Sequence, residues 1–284
     1  MALRASLLPL QSDHQQTALF MDLSFLMSFA RRTPLLNSTL MWWARQYSED
    51  SIVTIRSGLA KGMRWRRSHR YISAYWLGYY ELEIQSALQR ELKPGYTFFD
   101  VGANAGFFTL LGAQLVGPAG KVIAFEPLPE NADCIRFQLK LNSITWCEVV
   151  EEAVGASEGA AAFSYDTAGS SVGHLGASST TEKRISVRAS TLDRAASRFG
   201  SPQFIKMDIE GAEAEALKGA PELLKLNAGW LIELHGPSPE EGVKAMLGAN
   251  GYGLHTLGGK QLDASAVLPR HVLARRGLSQ HRPG

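Results

Sequence analysis

The sequence predicts an α/β fold, an open and mostly parallel β-sheet with helices on both faces. From residue 96 onwards, short β-rich apolar runs alternate with segments of helical periodicity. The runs at residues 96–101, 121–126 and 204–209 are largely apolar on both faces, as strands are when helices cover both sides of a sheet. Glycine and proline residues separate the runs from the helical segments, which gives each element a start and an end.

The first 93 residues precede this alternation. Residues 1–50 are predicted to form two helical segments that part near Pro34, because proline disfavours helix at the residue before it. Residues 51–65 alternate and turn at glycines, which is typical of a small hairpin. Residues 76–92 return to a helical period, which ends at the turn formed by residues 93–95.

The alternating core has one interruption. Residues 107–116 are apolar almost all round, so they should form a helix packed deeply on the sheet. The interruption is an inserted hairpin, expected from residues 160–165 and 185–190. Thr191 is a candidate cap for the short helix that follows the hairpin. The other predicted helices lie at residues 129–142, 212–226 and 240–247, and the other strands at 146–155, 230–234, 251–257 and 266–276. The predicted regions are a helical extension (1–50), a main domain (51–276, with its core at 94–276) and a disordered tail (277–284).

Composition limits the classes of function. At 284 residues the chain can bury one sizeable core with an appendage. Lysine and arginine number 29 against 27 acidic residues, so the overall charge makes a nucleic-acid partner unlikely. Cys134 and Cys147 have no metal-ligand spacing, so no metal site is expected and a reducing compartment is. The apolar segment at residues 20–30 is too short to span a bilayer and contains Asp22, which favours a cytoplasmic protein with no integral membrane segment.

Acidic residues stand at the ends of the predicted strands, where ligands of open α/β sheets bind. They are Asp100, Glu126, Glu152, Asp208, Glu210 and Glu233. No fixed cation is expected to offset this row, and mutual repulsion makes it a poor cradle for a pyrophosphate. It suits a ligand with a cationic centre, an amino group and a ribose diol, and S-adenosylmethionine is such a ligand.

The glycines after the first strand of the core help to separate this ligand from a dinucleotide. A dinucleotide fingerprint requires GxGxxG, whereas Gly102 and Gly106 are spaced as GxxxG with Asn104 between them. The glycines let the backbone pass close to the amino-acid end of the ligand, and the helix N-terminus near Ala105 can accept its carboxylate. Glu126 can accept both ribose hydroxyls, although dinucleotide-binding proteins share an acid at that position. The sequence has neither a GxxxxGK[ST] loop nor a later TyrxxxLys pair, so a nicotinamide-dependent oxidoreductase is the weaker alternative.

Several motifs in order resemble one family. They are FFDVGANAGFFTL, VIAFEPLPENA, EEAVGASEGAAAFSY, STLD and FIKMDIEGAEAEALKGA, and the upstream WLGYYELE is similar as well. Together they resemble the FkbM family of S-adenosylmethionine-dependent methyltransferases over residues 51–235. The resemblance implies a Rossmann-like class I methyltransferase fold with a mostly parallel seven-stranded sheet. It also implies methyl transfer, mostly to hydroxyl oxygens of sugars, polyketides or related metabolites.

The resemblance also implies roles for individual residues. The methionine end of the cofactor is assigned to Asp100, Gly102, Asn104 and Gly106. The ribose is assigned to Glu126, and the adenine to Glu152 and Ala153. Asp208 would face the methionine moiety or the acceptor, and Glu81, within WLGYYE, is expected to approach the cofactor.

Three residues are candidates for the proton transfer that a hydroxyl acceptor needs: Asp208, Glu210 and His235. A structural alternative stands beside each of them. Asp208 and Glu210 could be the N-cap and first-turn acid of the following helix. His235 could be a hydrogen-bonded structural histidine. Without an acceptor-site base, the chain would be a non-catalytic cofactor-binding or interaction module on the same scaffold.

A basic and aromatic stretch lies upstream of the core, over residues 56–80. A few of its side chains could grip a sugar or an acidic metabolite. Most are expected to be structural, in a solvated hairpin whose aromatic rings pack the N-terminal helices on the domain. The expected partner is a small hydroxylated acceptor, and the sequence leaves the oligomeric state open.

Overall fold

The computed structural model describes residues 47–165, 173–175, 183–263 and 265–276. Nearly all of the predicted helical extension and the whole predicted tail lie outside these ranges. Much of the loop inside the predicted inserted hairpin lies outside them too. The limits predicted for the extension and the tail therefore stay predictions.

The segment before the core forms the predicted hairpin, but its predicted helix is broken. Strands β1 (Ile52–Thr54) and β2 (Arg64–Arg66) pair antiparallel, and helices α1 (Ala74–Leu77) and α2 (Leu82–Glu91) follow. Gly78 interrupts the helix with φ +84°, and a Cβ there would lie 2.1 Å from the carbonyl oxygen of Ser57. Close packing on the hairpin loop therefore divides the single helix predicted over residues 76–92, and helical periodicity does not reveal such a contact.

The core follows the predicted order of strands and helices, except that the strand predicted at 146–155 is divided in two at residues 151–152 and that a short strand at Gly173–Leu175 was not predicted. It contains β3 (Thr97–Val101), α3 (Phe107–Val116), β4 (Lys121–Phe125), α4 (Pro129–Leu141), β5 (Cys147–Val150), β6 (Ala153–Val154), β7 (Gly159–Tyr165), β8 (Gly173–Leu175), β9 (Lys183–Ser190), α5 (Leu192–Phe199), β10 (Phe204–Met207), α6 (Glu213–Lys218), a 3₁₀ turn (Leu223–Lys225), β11 (Gly229–Glu233), α7 (Pro237–Ala249), β12 (Tyr252–His255) and β13 (His271–Arg276).

Seven of these strands form the central sheet, in the order β12-β13-β11-β10-β3-β4-β5. Strands β10, β3, β4, β5 and β11 pair in parallel, and β13 runs antiparallel between β11 and β12. This mostly parallel sheet with helical crossovers confirms the predicted Rossmann-like class I fold. The carboxyl ends of the parallel strands consequently meet at one edge of the sheet, where ligands bind.

A smaller sheet, ordered β6-β9-β7-β8, contains the predicted inserted hairpin. Strands β7 and β9 pair antiparallel from Gly159 to Tyr165, which confirms that prediction. Thr191 caps α5, because its Oγ1 accepts a hydrogen bond of 3.1 Å from the backbone N–H of Arg194.

The aromatic residues of the basic stretch are largely structural, but the described contacts join them to the core, while the N-terminal helices predicted as their partners lie outside the described residues. Trp65, Tyr71 and Tyr75 are buried, and Tyr75 stacks on Phe107 of α3 with ring centroids 5.6 Å apart. The rings therefore hold the upstream segment on the core. Because they are buried, a ligand cannot stack on them. The described helices are all too short or too polar to cross a lipid bilayer.

Candidate active site

The turn between β3 and α3 lies against the end of β10. Gly102 has φ +79°, and a Cβ there would lie 1.8 Å from the carbonyl oxygen of Asp208, so the approach requires glycine. Asn104 is also left-handed, with φ +51°. Gly106 precedes α3 with φ +88°, and a Cβ there would lie 3.0 Å from the side chain of Ile135. Both predicted glycines therefore shape the turn, and Gly106 does so through its packing on α4.

Glu126, just after β4, is fixed by three donors. The backbone N–H of Asn104 donates to its Oε2 at 2.8 Å, and the N–H of Leu128 donates to its Oε1 at 3.0 Å. The side-chain amide of Asn131 donates to Oε1 at 3.3 Å, and Tyr71 in turn donates to Asn131. Burial raises the pKa of Glu126 to about 7 in spite of these hydrogen bonds. The carboxylate is thus oriented in advance, and it still has lone pairs for a ligand's hydroxyl groups.

The predicted cofactor residues largely converge on one pocket, which we call the cofactor pocket. The space in it that protein atoms do not fill is about 570 Å³, including open solvent at its mouth. The site residues that line it are Gly102, Asn104, Glu126, Glu152, Ala153, Asp208 and Glu210. Apolar side chains complete the wall, including Phe125, Val154, Phe163 and Ile209. Asp100, Gly106, Glu81 and His235 are not among the described residues of this lining.

Asp100 lies behind the pocket, paired with a lysine that we did not expect. Its side chain is fully buried, and Thr109 donates to its Oδ2 at 2.6 Å. Lys206, itself 2% exposed, places Nζ 3.5 Å from Asp100 and 3.6 Å from Asp208, and it donates to the carbonyl oxygen of Gly102 at 3.3 Å. Burial would lower the pKa of Lys206, but these carboxylates raise it above its usual range, so it stays charged. The expectation that no fixed cation offsets the acidic row is wrong, because Lys206 supplies one from within β10.

A second group of side chains lies beyond the pocket, and we call it the histidine–carboxylate cluster. Its members are Glu81, Asp208, Glu210, Glu213, Glu233, His235 and His271. Asp208 and Glu210 belong to both the cluster and the lining of the cofactor pocket. The three predicted catalytic residues are therefore neighbours. Glu81, from the segment before α2, lies beside Glu233 and His271 in the same cluster.

His235 is surrounded by carboxylates. Its Nδ1 lies 2.9 Å from Oε1 of Glu213, which is fully buried. Its Nε2 lies 3.2 Å from Glu210, 3.4 Å from Glu233 and 3.8 Å from Asp208. The hydrogen bond to Glu213, with the neighbouring Glu233, raises the pKa of His235 to about 10. His235 therefore makes the hydrogen bond expected of a structural histidine, and its other ring nitrogen faces Asp208 and Glu210 of the cofactor pocket.

Glu233, at the end of β11, has fixed cationic support. Arg270 contacts its carboxylate through two guanidinium nitrogens, and Nε2 of His271 lies 3.0 Å from Oε2. Burial opposes ionisation, yet the histidines and Arg270 hold the pKa of Glu233 well below its usual range. Because β13 runs antiparallel, its first residue lies beside Glu233 at the same edge of the sheet.

The capping alternative for Asp208 and Glu210 is wrong. Helix α6 begins at Glu213, and its N-cap is Ala212, so both acids lie in the loop before the helix. Glu210 has φ +53°, a left-handed conformation that is uncommon outside glycine. Such strain at a pocket-lining residue is typical of functional loops.

Sequence reasoning missed four residues of this site: Lys206, Glu213, Arg270 and His271. A lysine in a strand buried on both faces was a usable signal, since lysine is almost never buried without a partner. Glu213 had no such signal, because an acid in the first turn of a helix is common. Arg270 and His271 depend on the reversed direction of β13, which the apolar pattern does not specify.

Comparison with known proteins agrees with this geometry. Residues 100–263, more than half of the chain, match the methyltransferase FkbM domain. The chain belongs to the FkbM methyltransferase family. Membership confirms the family predicted from the motifs, with S-adenosylmethionine as its cofactor.

Curated relatives resemble this FkbM methyltransferase over short stretches. A protein-L-isoaspartate O-methyltransferase from Methanopyrus kandleri is 44% identical over 48 residues, which are 17% of this chain and 21% of that protein. A ribosomal RNA large subunit methyltransferase E from Acinetobacter baumannii is 32% identical over 90 residues, which are 32% of this chain and 36% of that protein. The chain thus matches about a fifth to a third of the length of these relatives.

Solved structures resemble the FkbM methyltransferase at low sequence identity. A SAM-dependent O-methyltransferase from Thermotoga maritima has a TM-score of 0.45 and 12% identity, covering 85% of this chain and 81% of that one. A putative transferase from Pyrococcus horikoshii has a TM-score of 0.46 and 15% identity, covering 80% and 71%.

Proposed function

We propose that the protein transfers the methyl group of S-adenosylmethionine to a hydroxyl oxygen of a small metabolite such as a sugar or a polyketide. The observation that carries this proposal is the double position of Asp208 and Glu210. Both line the cofactor pocket, and both lie beside His235 in the histidine–carboxylate cluster. A methyl group carried in the pocket would therefore face ionisable side chains at its acceptor side.

The cofactor is assigned to the pocket residue by residue. Glu126 accepts the ribose hydroxyls, and Glu152 with Ala153 borders the adenine. The turn containing Gly102 and Asn104 holds the methionine end. Asp100 acts from behind, because its pairing with Lys206 fixes the end of β3 against β10. Glu81 lies in the cluster, so we assign it to the acceptor side and no longer to the cofactor.

The reaction needs alignment and one proton acceptor. The acceptor oxygen attacks the methyl carbon in line with the sulfur, the carbon–sulfur bond breaks, and neutral S-adenosylhomocysteine leaves. Holding the three atoms in line supplies much of the acceleration, since the sulfonium is already electrophilic. We assign the hydroxyl proton to Glu210, whose side chain lines the pocket and is 33% exposed, so that an acceptor can reach it. Asp208 is less suited, because its carboxylate already faces Lys206.

The charge of the site favours a neutral acceptor. The cluster and Asp100 contribute more carboxylates than the described permanent cations, Lys206 and Arg270, can offset. An acidic metabolite would be repelled at close range. A polyhydroxylated neutral molecule can instead donate hydrogen bonds to these oxygens, which supports a sugar-like or polyketide acceptor over an acidic one.

Isotope-labelled cofactor tests the proposal. Incubation with methyl-labelled S-adenosylmethionine and a panel of neutral sugars and hydroxylated polyketides should label the oxygen of at least one acceptor. An isoaspartyl peptide and ribosomal RNA belong in the same panel, because the curated relatives are named for those substrates. Label found in either of these alone would overturn the small-molecule assignment. Cofactor binding without transfer to any acceptor would favour the non-catalytic module, and binding of reduced nicotinamide in place of S-adenosylmethionine would favour the oxidoreductase.

The role of Glu210 has its own test. Glu210→Gln should lower kcat by about 10²–10⁴-fold, the usual contribution of a general base, while calorimetry finds the Kd for S-adenosylmethionine nearly unchanged. Glu222→Gln is the matched control, since Glu222 is exposed and pairs with Lys225 on the surface. Equal losses in turnover and cofactor affinity would make Glu210 a cofactor ligand instead.

A further inference from the structure

We propose that the histidine–carboxylate cluster binds a divalent metal ion through Asp208, Glu233 and His235. One oxygen from each acid and one ring nitrogen of the histidine lie within 4.8 Å of one another. Atoms that share an ion through bonds of about 2.0–2.3 Å are separated by distances of this order. The three ligands come from the loop after β10, the end of β11 and the loop after it, so their spacing in the sequence gives no metal motif.

The orientation of His235 supports a shared ion. Its Nε2 is shielded from solvent and lies 3.4 Å from Glu233 and 3.8 Å from Asp208, with Glu210 also near at 3.2 Å. In spite of these contacts, Nε2 makes no hydrogen bond of normal geometry with a described residue. A nitrogen that simply donated to one of the acids would be aligned with it. Close contacts without that alignment are expected where donor atoms face an ion between them.

A buried carboxylate holds the other ring nitrogen, which is the usual support of a metal-ligating histidine. Glu213 is fully buried, and its Oε1 lies 2.9 Å from Nδ1 of His235. The same oxygen accepts the backbone N–H of Gly211 at 3.0 Å, so Glu213 is itself held in place. With a proton fixed on Nδ1, the lone pair of Nε2 points away from Glu213 and is available to a metal.

The net negative charge of the cluster favours binding of a divalent cation. Six carboxylates meet here: Glu81, Asp100, Asp208, Glu210, Glu213 and Glu233. Among the described residues, Lys206 and Arg270 are the permanent cations in contact with them. Four negative charges therefore remain when both histidines are neutral, as a metal ligand must be, and three remain when His235 carries a proton on both ring nitrogens. Burying unpaired charge is costly, and a divalent ion offsets two of these charges.

The competing explanation is a protonated His235 that serves as the counter-cation. It accounts for the proximity of the acids, but a proton on Nε2 should form an aligned hydrogen bond to one of them. A metal would take the place of that proton. The two explanations differ in a direct measurement, because only one of them binds manganese.

An ion at this position would act on the acceptor, and that role rests on the proposed function. It would lie beside Glu210 at the acceptor side of the cofactor pocket, where it could coordinate the acceptor hydroxyl and lower its pKa. Glu210 would then accept the proton of a hydroxyl whose pKa the ion has lowered. Binding of the ion can be measured without any acceptor, so the test is separate from the test of activity.

The experiment uses the full chain after removal of metals with a chelator. Mn²⁺ is titrated with and without S-adenosylmethionine, and free Mn²⁺ is followed by electron paramagnetic resonance. We expect one Mn²⁺ per chain, and at least tenfold weaker binding in His235→Ala and in Glu233→Gln. Glu213→Gln should weaken binding by about 10–100-fold, as loss of a supporting partner does. Glu222→Gln should bind as the native protein does. Circular dichroism and the S-adenosylmethionine titration show which variants are folded.

Two further variants test the ligand set itself. Glu81→Gln and His271→Ala remove side chains of the cluster that belong to a second possible set around Glu233. If these variants lose Mn²⁺ while His235→Ala keeps it, the proposed ligand set is wrong. Absence of Mn²⁺ binding in native protein that still binds S-adenosylmethionine overturns the metal and leaves the proposed function standing. Mn²⁺ binding without methyl transfer supports the metal and counts against the function.

Discussion

Glu126 combines two properties that usually exclude each other, since its carboxylate is nearly buried and is also the proposed acceptor of two ligand hydrogen bonds. Three donors orient it, and burial still raises its pKa to about 7. At its ordinary pKa of 4.5 the group would be fully ionised at neutral pH, but with the pKa raised to about 7 a large part of it is protonated there. Its ability to accept both ribose hydroxyls therefore depends on pH.

Cofactor affinity should rise with pH through this range. In the proposed assignment the ionised form of Glu126 accepts the ribose hydroxyls, and with a pKa of about 7 the ionised fraction increases about tenfold between pH 6 and pH 8. We expect the Kd for S-adenosylmethionine, measured by calorimetry, to fall by up to about tenfold over that interval. Glu126→Gln should bind more weakly and show a nearly flat profile. A variant that keeps the pH dependence of the native protein would assign the titration to another group.

The importance of the close approach at Gly102 can be tested by comparing an alanine substitution there with one at Gly95, a glycine of similar conformation in open space. Gly102→Ala adds a Cβ 1.8 Å from a carbonyl oxygen in a left-handed conformation. Backbone strain and overpacking together should lower the free energy of unfolding by about 2–5 kcal/mol. Gly95→Ala has a similar φ, +86°, but no described atom within 4 Å of the new Cβ, and should cost only about 1 kcal/mol. Urea unfolding distinguishes the two, and equal losses would mean that the close approach to Asp208 is unimportant.

Strands β3 and β10 are joined by more than their ladder of backbone hydrogen bonds. Lys206 reaches from β10 to Asp100 of β3, and it also binds the carbonyl oxygen of Gly102 in the turn that follows. Backbone hydrogen bonds from Gly102 and Ala103 to Phe125 already hold that turn against β4. The buried lysine adds a side-chain link from the turn to β10, at one wall of the cofactor pocket.

Removal of this lysine should be more harmful than removal of the pair. Lys206→Met leaves Asp100 buried without its counter-charge, which should cost about 3–5 kcal/mol of unfolding free energy. Asp100→Asn combined with Lys206→Met removes both charges and should recover at least about 2 kcal/mol of that loss, because the amide oxygen can still accept from Thr109. Chemical denaturation of both variants measures the difference. A double variant no more stable than the single one would show that the ion pair is not the source of the loss.

For the whole molecule, the order of strands and helices could be predicted from the sequence, because buried parallel strands and amphipathic helices leave distinct periodicities. The turn at Gly102 and the acids at the strand ends could be predicted as well, since their positions follow from those strands. The break of the helix at Gly78 could not, because it follows from contact with Ser57 in another loop. The contact of Glu213 with His235 and that of His271 with Glu233 were equally hidden, since each depends on the folded arrangement of separate segments.

The reversed strand β13 has a consequence for how the protein matures. His271 is its first residue, so the cluster gains its last member only after the chain has been synthesised to residue 271, and Arg270, which pairs with Glu233, comes just before it. A nascent chain that ends earlier already contains every residue of the cofactor pocket. Synthesis therefore completes the proposed cofactor pocket before the proposed acceptor side, because the pocket ends at Glu210 and the cluster ends at His271.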